Sequence, residues 1–274
     1  MSPPALAPGA TDQNAFGALL RGWRNTRGMS QLALSSRANV SARHLSYMET
    51  GRAQPSREMI FLLAQALEMP LRDRNAFLQA AGFAPVYRET PLAADPMGPV
   101  RDALDLLLRA TEPNPTFVLN RRADVLATNG AGRWLLETFN EDHAAFAPAY
   151  NLGKVLVSPK GDRAYIENWA EVARLALTRL KRDLGGVHVR DSADEELLGM
   201  ISATLAELGD PPPADAQLLV VPVRFRRGEL AVNLFSTLTT LARTRDLTLE
   251  ELRIEVFFPA DEPSKRVLES RRRT

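Results

Sequence analysis

The chain has 274 residues, enough at roughly 100 to 200 residues per domain for about two domains with cores of their own. With 45% apolar and 24% charged residues it has the composition of a folded globular protein, not a disordered one. Cysteine is absent, which excludes disulfides, thiol catalysis and cysteine-based zinc or iron sites and favours a reducing compartment. The histidines, His44, His143 and His188, show no metal-ligand spacing. The net charge of +1 hides an uneven distribution. Between positions 12 and 57, seven arginines (Arg21, Arg24, Arg27, Arg37, Arg43, Arg52 and Arg57) face only Asp12 and Glu49, a local surplus of five positive charges that points to a polyanion.

Residues 1 to 10 are rich in proline and alanine, carry no Lys or Arg, and read as a disordered arm, not a secretory signal. From Asn14 to Arg27, Phe16, Leu19, Leu20 and Trp23 recur at the helical period, and Gly28 is placed to stop that helix. Ser30 is an N-cap candidate for a second helix carried by Leu32, Ala33, Ser36 and Arg37, with Ala33 small enough for a close crossing. Ser41 opens a third helix whose Leu45 and Met48 face inward before Gly51. Ser56 caps a fourth, with Ile60, Leu63 and Leu67, and Leu71 to Ala81 form a fifth closed by Gly82. These five helices define a domain over residues 10–85. A linker follows over 86–99, where three prolines fall within the last ten residues.

Beyond the linker the pattern becomes mixed. Val100, Leu104, Leu107 and Leu108 mark a docking helix. Two short strands then flank an Asn120-Arg121-Arg122 turn, and a helix carries Trp134, Leu135 and Phe139. Two longer helices are marked by Trp169 to Leu184 and by Leu197 to Leu208. The last third alternates as strands: Leu219 to Phe225, Val232 to Leu238, and Leu252 to Phe258. Pro222 confines the first of these to an edge or a bulge, and Arg226-Arg227-Gly228 suits a hairpin. The order predicts one antiparallel sheet with helices gathered on one face, an α+β domain over 100–262, and a solvated basic tail over 263–274. No stretch approaches the roughly 18 to 20 apolar residues of a membrane span, so no membrane association and a cytoplasmic location are expected.

The helix from Gln31, the tight turn at Asn39-Val40 and the helix from Ser41 form a helix-turn-helix unit. Asn39 stands where positive φ is needed, and Val40 fills the gap between the helices. Ser41 leaves the second helix's N-terminus, with its free N–H groups, facing outward toward DNA phosphate.

The run Arg24-Asn-Thr-Arg27-Gly28-Met-Ser30-Gln31, Val40-Ser41, Leu45 to Arg52 and Pro55-Ser56 resembles the lambda-repressor-like, or XRE-type, helix-turn-helix family over about 70 residues. It departs from that pattern at Asn39, where glycine is usual. The resemblance implies double-stranded DNA as partner, with Gln31 on a phosphate and Arg52 on the backbone beyond the recognition helix. It places Ala42, Arg43 and Tyr47 on the major-groove face, beside Ser41 and with His44 near a phosphate. Arg43 suits guanine O6 and N7, whereas Ala42 offers only contact to a thymine methyl. The family pattern pairs Arg24 with Glu49 as a partly buried structural bridge.

Longer stretches, including Arg43 to Ala53, Ala80 to Pro85, Asn168-Trp169 and Leu249 to Asp261, resemble the MmyB-like transcriptional regulators from about Gly17 to Asp261. That resemblance implies a PAS-like C-terminal domain that binds a small hydrophobic, fatty-acid-type ligand. Pocket candidates are Phe117, Leu119, Trp134, Trp169, Val172, Leu234 and Ser236, though each taken singly is more often plain core, with Arg133 and Asn168 as head-group anchors. The rival reading is a DNA-binding regulator whose second domain only dimerises or binds a partner protein. No nucleophile elbow, dinucleotide turn, P-loop or zinc-protease motif supports an enzyme, and no cofactor is called for. Asp194, Glu195 and Glu196 suit a helix start electrostatically. A homodimer is expected, because one recognition helix reads too few base pairs.

Overall fold

The computed structural model describes residues 15–141, 150–184, 191–209 and 220–271. The expected arm, the first helix position Asn14, His143, His188, the strand residue Leu219 and residues 272–274 of the expected tail lie outside them. Among the described residues the chain divides into two units, the first running to Glu89 and taking in Arg245–Leu247, the second comprising the rest from Thr90.

In the first unit, short-range signals set every helix boundary. The helices are α1 (Ala15–Thr26), α2 (Gln31–Arg37), α3 (Ala42–Glu49), α4 (Arg57–Ala66) and α5 (Leu71–Ala80). Ser30, Ser41 and Ser56 sit in extended conformations and accept from the amides of Ala33, His44 and Met59, satisfying donors that each helix start leaves free. The reversals at Gly28, Asn39, Gly51 and Gly82 all take positive φ, 53° at Asn39. Leu20, Leu34, Leu45, Ile60, Leu63 and Phe77 form a fully buried core, each aliphatic contributing about 1.5 to 3 kcal/mol. Ala33 does not make the close crossing expected of it: it is exposed, and α2 is phased so that Leu34, Ser35 and Ala38 face inward. The tight approach is instead at Gly17 on α1, where a Cβ would stand 2.6 Å from the Met48 carbonyl oxygen of α3.

The second unit runs α6 (Gly98–Ala110), β1 (Thr116–Leu119), β2 (Val125–Thr128), α7 (Gly130–Thr138), α8 (Leu152–Val157), a 3-10 turn at Asp162–Ala164, α9 (Trp169–Leu184) and α10 (Ser192–Leu208). It continues through β3 (Val223–Arg227), β4 (Leu230–Thr240), α11 (Leu247–Glu251), β5 (Arg253–Pro259) and α12 (Glu262–Arg271). The five strands form one antiparallel sheet in the order β2-β1-β5-β4-β3. Pro222 precedes β3, an outer strand, and a two-residue turn with Gly228 at φ 58° joins β3 to β4. The segment Tyr165–Glu167 bonds to β3 from outside, Glu167 N–H donating to Arg224 O and Arg226 N–H to Tyr165 O, both at 2.8 Å. At the other edge, Val125 N–H donates to Tyr150 O at 2.7 Å.

Two expectations fail here. Helices cover both faces of the sheet, not one. Phe117 and Leu119 point to the larger core with α8, α9 and α10, whereas Val118, Ile254 and Val256 point the other way and pack with Leu104 and Leu108 of α6. β1 is apolar on both sides for that reason, whereas β5 turns Ile254 and Val256 to the second core and Arg253, Glu255 and Phe257 to the side of Phe117. Residues 263–271 are also not a solvated tail. They belong to α12, whose Ser264 and Leu268 are each 1% exposed. Asp261 accepts from the Ser264 amide at 2.8 Å and from the Asn233 side chain at 2.6 Å, pinning the helix start to β4. The arginine-rich composition of this stretch masked a cap followed by a small buried stripe.

Candidate DNA-reading surface and ligand cavity

In the α2–turn–α3 unit the residues expected to face DNA differ in exposure. Ser41, Ala42 and Arg43 are exposed at the start of α3, and Arg52 is exposed beyond its end, while His44 and Tyr47 are half-buried. Arg43 lies along α3 with its Nε donating to the Tyr47 hydroxyl at 2.9 Å and its guanidinium 5.3 Å from the ring centroid. The pair forms one planar, donor-rich surface at the helix face.

Behind this face lies a buried charge network. Arg24 grips Glu49 with two bonds, Nε to Oε1 at 2.6 Å and Nη2 to Oε2 at 3.1 Å, and donates to the Met29 carbonyl at 2.8 Å. Gln31 Nε2 donates to Glu49 Oε2 at 2.8 Å. Glu49 is only 2% exposed. Burial alone would raise its pKa, but the bonds from Arg24 and Gln31 and the charges of Arg24 and Arg21 outweigh that and hold it below the usual carboxylate range. Gln31 thus has one amide hydrogen committed inward, and only the remainder of its amide is left for a phosphate. Arg27 is committed too, donating to the carbonyls of Leu67 and Glu68 at 2.8 Å, and Arg37 pairs with Glu68. Three of the seven arginines in the basic segment therefore serve the fold.

In the second unit a cavity of about 380 Å³ lies between the sheet and helices α8 and α9. Phe117, Leu119, Val172 and Ser236 line it as expected. The other candidates do not. Leu234 shares the strand face of Ser236 but is wholly enclosed in the core. Trp169 donates its indole N–H to Leu156 O at 2.7 Å. Trp134 stacks edge-on with Phe139 beneath the Arg271 guanidinium. Asn168 holds the chain before β3, donating to Pro222 O at 2.8 Å and accepting from Arg224 N–H at 3.1 Å. Arg133 is exposed on α7 away from the cavity lining. Both proposed head-group anchors are thereby removed.

Much of the polar lining comes from residues that sequence reasoning passed over as ligand contacts, among them Asp162, Arg179, Arg253 and Glu255. Glu255 is 7% exposed and accepts from Ser236 Oγ at 2.7 Å, with Arg179 Nη2 3.5 Å from its other oxygen. The usable signal was the alternation of β5, which puts Arg253, Glu255 and Phe257 on the same side as Phe117 of its neighbour. Asp162 lies in the turn after α8, and burial pushes its carboxyl up to about 7. Asp194, read from sequence as a macrodipole residue, is wholly buried. It binds Arg121 at 2.5 Å and Arg122 at 2.6 Å, clamping α10 to the β1–β2 turn.

The family models agree with this division. The MmyB-like transcription regulator ligand binding domain matches residues 100–270, and a helix-turn-helix domain matches residues 15–77. The chain belongs to the MmyB-like transcription regulators. This MmyB-like regulator is similar to transcriptional regulator ClgR of Mycobacterium tuberculosis, 35% identical over 86 residues that cover 31% of this chain and 74% of ClgR. Among solved structures, the clp gene regulator ClgR of Corynebacterium glutamicum is 31% identical, with 27% of this chain and 94% of that one covered and a TM-score of 0.24. The restriction-modification controller protein C.AhdI of Aeromonas hydrophila is 29% identical, with 24% and 98% covered and a TM-score of 0.23. The MmyB-like chain is a DNA-binding transcriptional regulator with a ligand-binding-type domain, not an enzyme. Among the described residues no helix is long and apolar enough to cross a membrane, and no group of His, Cys, Asp and Glu is arranged to hold a metal ion.

Proposed function

We propose that this regulator reads operator DNA through α3 as a homodimer in the cytoplasm, and that a small fatty-acid-like ligand in the second unit tunes that binding. The cavity carries the reading. Its walls are mostly apolar, with a cluster of Arg179, Ser236 and Glu255, bonded to one another, that a carboxylate or hydroxyl head group could join. The five-stranded antiparallel sheet with helices closing one side of the cavity is compatible with the PAS-like domain implied by family resemblance. A second unit that served only for dimerisation would have no use for a cavity of this size with an ordered polar cluster in its lining.

The test is to purify the full chain, extract it into organic solvent and identify any bound small molecule by mass spectrometry. Operator binding is then measured with and without decanoic acid. A stoichiometric amphipathic molecule, together with a shift in operator affinity on adding decanoic acid, is the expected result. No extracted molecule and no effect of decanoic or longer-chain acids would leave the dimerisation or partner-protein reading in its place.

A further inference from the structure

Asp162 is the one carboxyl among the described cavity-lining residues whose shifted titration has burial as its sole cause. Its backbone oxygen closes the turn by accepting from the amides of Tyr165 and Ile166, at 2.9 and 3.0 Å. Among the described residues no hydrogen bond reaches its carboxyl oxygens. Asp162 is half-buried and lines the cavity together with Ile166, Leu156 and Phe225. A charged carboxylate in such a place is costly unless paired, and the cheaper state is the neutral acid.

The basic side chains of the cavity lining are engaged elsewhere. Arg121 is bound to Asp194, Arg179 stands against Glu255, and Arg253 donates to the carbonyls of Glu250 and Leu252. Asp183 lies on α9, which also carries Arg179, and Lys154 on α8 is paired with Glu196 outside. The turn of Asp162 is tied through Ile166 to Phe225, which pairs with Val232 of β4. Glu255 pairs instead with Leu238, six residues further along β4. The cavity therefore has two polar stations on different parts of its wall.

We propose that Asp162, as the neutral acid, donates a hydrogen bond to an acceptor oxygen of the ligand and so selects oxygen-bearing chains over plain hydrocarbons. The inference rests on the cavity being a ligand site. The oxygen belongs to a carboxyl, ester or hydroxyl group, and the chemistry shared by all three is a lone pair facing the acid proton. Binding of an uncharged acceptor then follows the protonation of Asp162. With the carboxyl titrating at about 7, affinity should fall about tenfold between pH 6 and pH 8.

The experiment measures calorimetric binding of methyl decanoate, decanol and decanoic acid to the full chain at pH 6, 7 and 8. A decane control is read by competition, and Asp162→Asn and Asp162→Leu are measured alongside, each checked by thermal melting. Methyl decanoate should bind the parent about tenfold more weakly at pH 8 than at pH 6. Asp162→Asn, which keeps a donor and cannot ionise, should bind it equally at both. Asp162→Leu should no longer prefer methyl decanoate to decane. Decanol and decanoic acid, compared with the ester, show which oxygen chemistry the station prefers. An unchanged pH dependence in Asp162→Asn, or an undiminished preference in Asp162→Leu, overturns the proposal while leaving the cavity as a ligand site. Failure of the parent to bind any probe at any pH overturns both readings.

Discussion

Arg24 and Glu49 show how a charged residue in a DNA-binding unit can serve stability alone. Their two bonds, with the third from Gln31, tie α1, α2 and the end of α3 together in a largely buried site. Removing the carboxylate leaves the Arg24 guanidinium, 13% exposed, without its partner, and such a loss costs about 3 to 5 kcal/mol. Glu49→Ala should therefore melt far below the parent while the folded fraction keeps its operator preference. Equal melting with lost discrimination would place Glu49 on the DNA. Because its folded pKa lies below the unfolded value of about 4.3, the stability Glu49 supplies is complete above that pH. It drains away as pH falls through the folded value, so the parent's melting temperature should drop on acidification more than that of Glu49→Ala. Arg43 is the contrasting case. Its exposed guanidinium rests on Tyr47, and Arg43→Ala should relax preference at one base pair by about 1 to 3 kcal/mol without moving the melting temperature. Uniform weakening on every operator variant would show a backbone contact only.

At the scale of elements, what the sequence disclosed were the features set by neighbours a few residues apart. Three serine caps, the positive-φ Asn39 and the terminal glycines are local, and the helices of the first unit follow from them. The Arg24–Glu49 pair spans 25 positions and was legible only through family resemblance. The cavity was half legible, because strand alternation gives the face of Phe117 and Ser236 but not where the space behind that face is filled, as at Leu234. Asp162 sits in a turn with no periodic signature, and α12 hid behind its own arginines. Two substitutions probe these elements. Gly17→Ala would drive a methyl against the backbone oxygens of Met48 and Glu49, at 2.6 and 2.7 Å. Backbone cannot yield as a flexible side chain does, so a loss of at least about 1 to 3 kcal/mol is expected in denaturant melts. Leu268→Ala should cost about 2 to 5 kcal/mol if α12 belongs to the fold, whereas an unchanged melt would return the segment to a tail.

For the whole molecule, counting which arginines are free sets the strength of the DNA encounter. With Arg24, Arg27 and Arg37 bound within the fold, Arg43, Arg52 and Arg57 remain in the basic segment, with Arg21, half-exposed and 3.6 Å from Glu49, as at most a fourth. A plot of log affinity against log salt should then have a slope no steeper than about −4 per copy of the unit. A steeper slope in filter-binding titrations would mean that Arg27 or Arg37 leaves its internal partner when DNA arrives. Mass measurement of the full chain, free and with operator, should give twice the chain mass, and a monomer in both would refute the homodimer.

The segments bonded along the outer strands limit how such a dimer is built. An open strand edge is a template on which any similar chain can crystallise, in fibres as readily as in pairs. Here the outside of β3 is occupied by Tyr165–Glu167, Pro222 precedes it, and Arg224 and Arg226 are exposed along it, while Tyr150 occupies the start of the opposite edge. Two copies that meet through this unit are therefore expected to meet side chain to side chain, and a ligand that swells or tightens the cavity would be felt by the partner as a change of shape, not as a broken ladder.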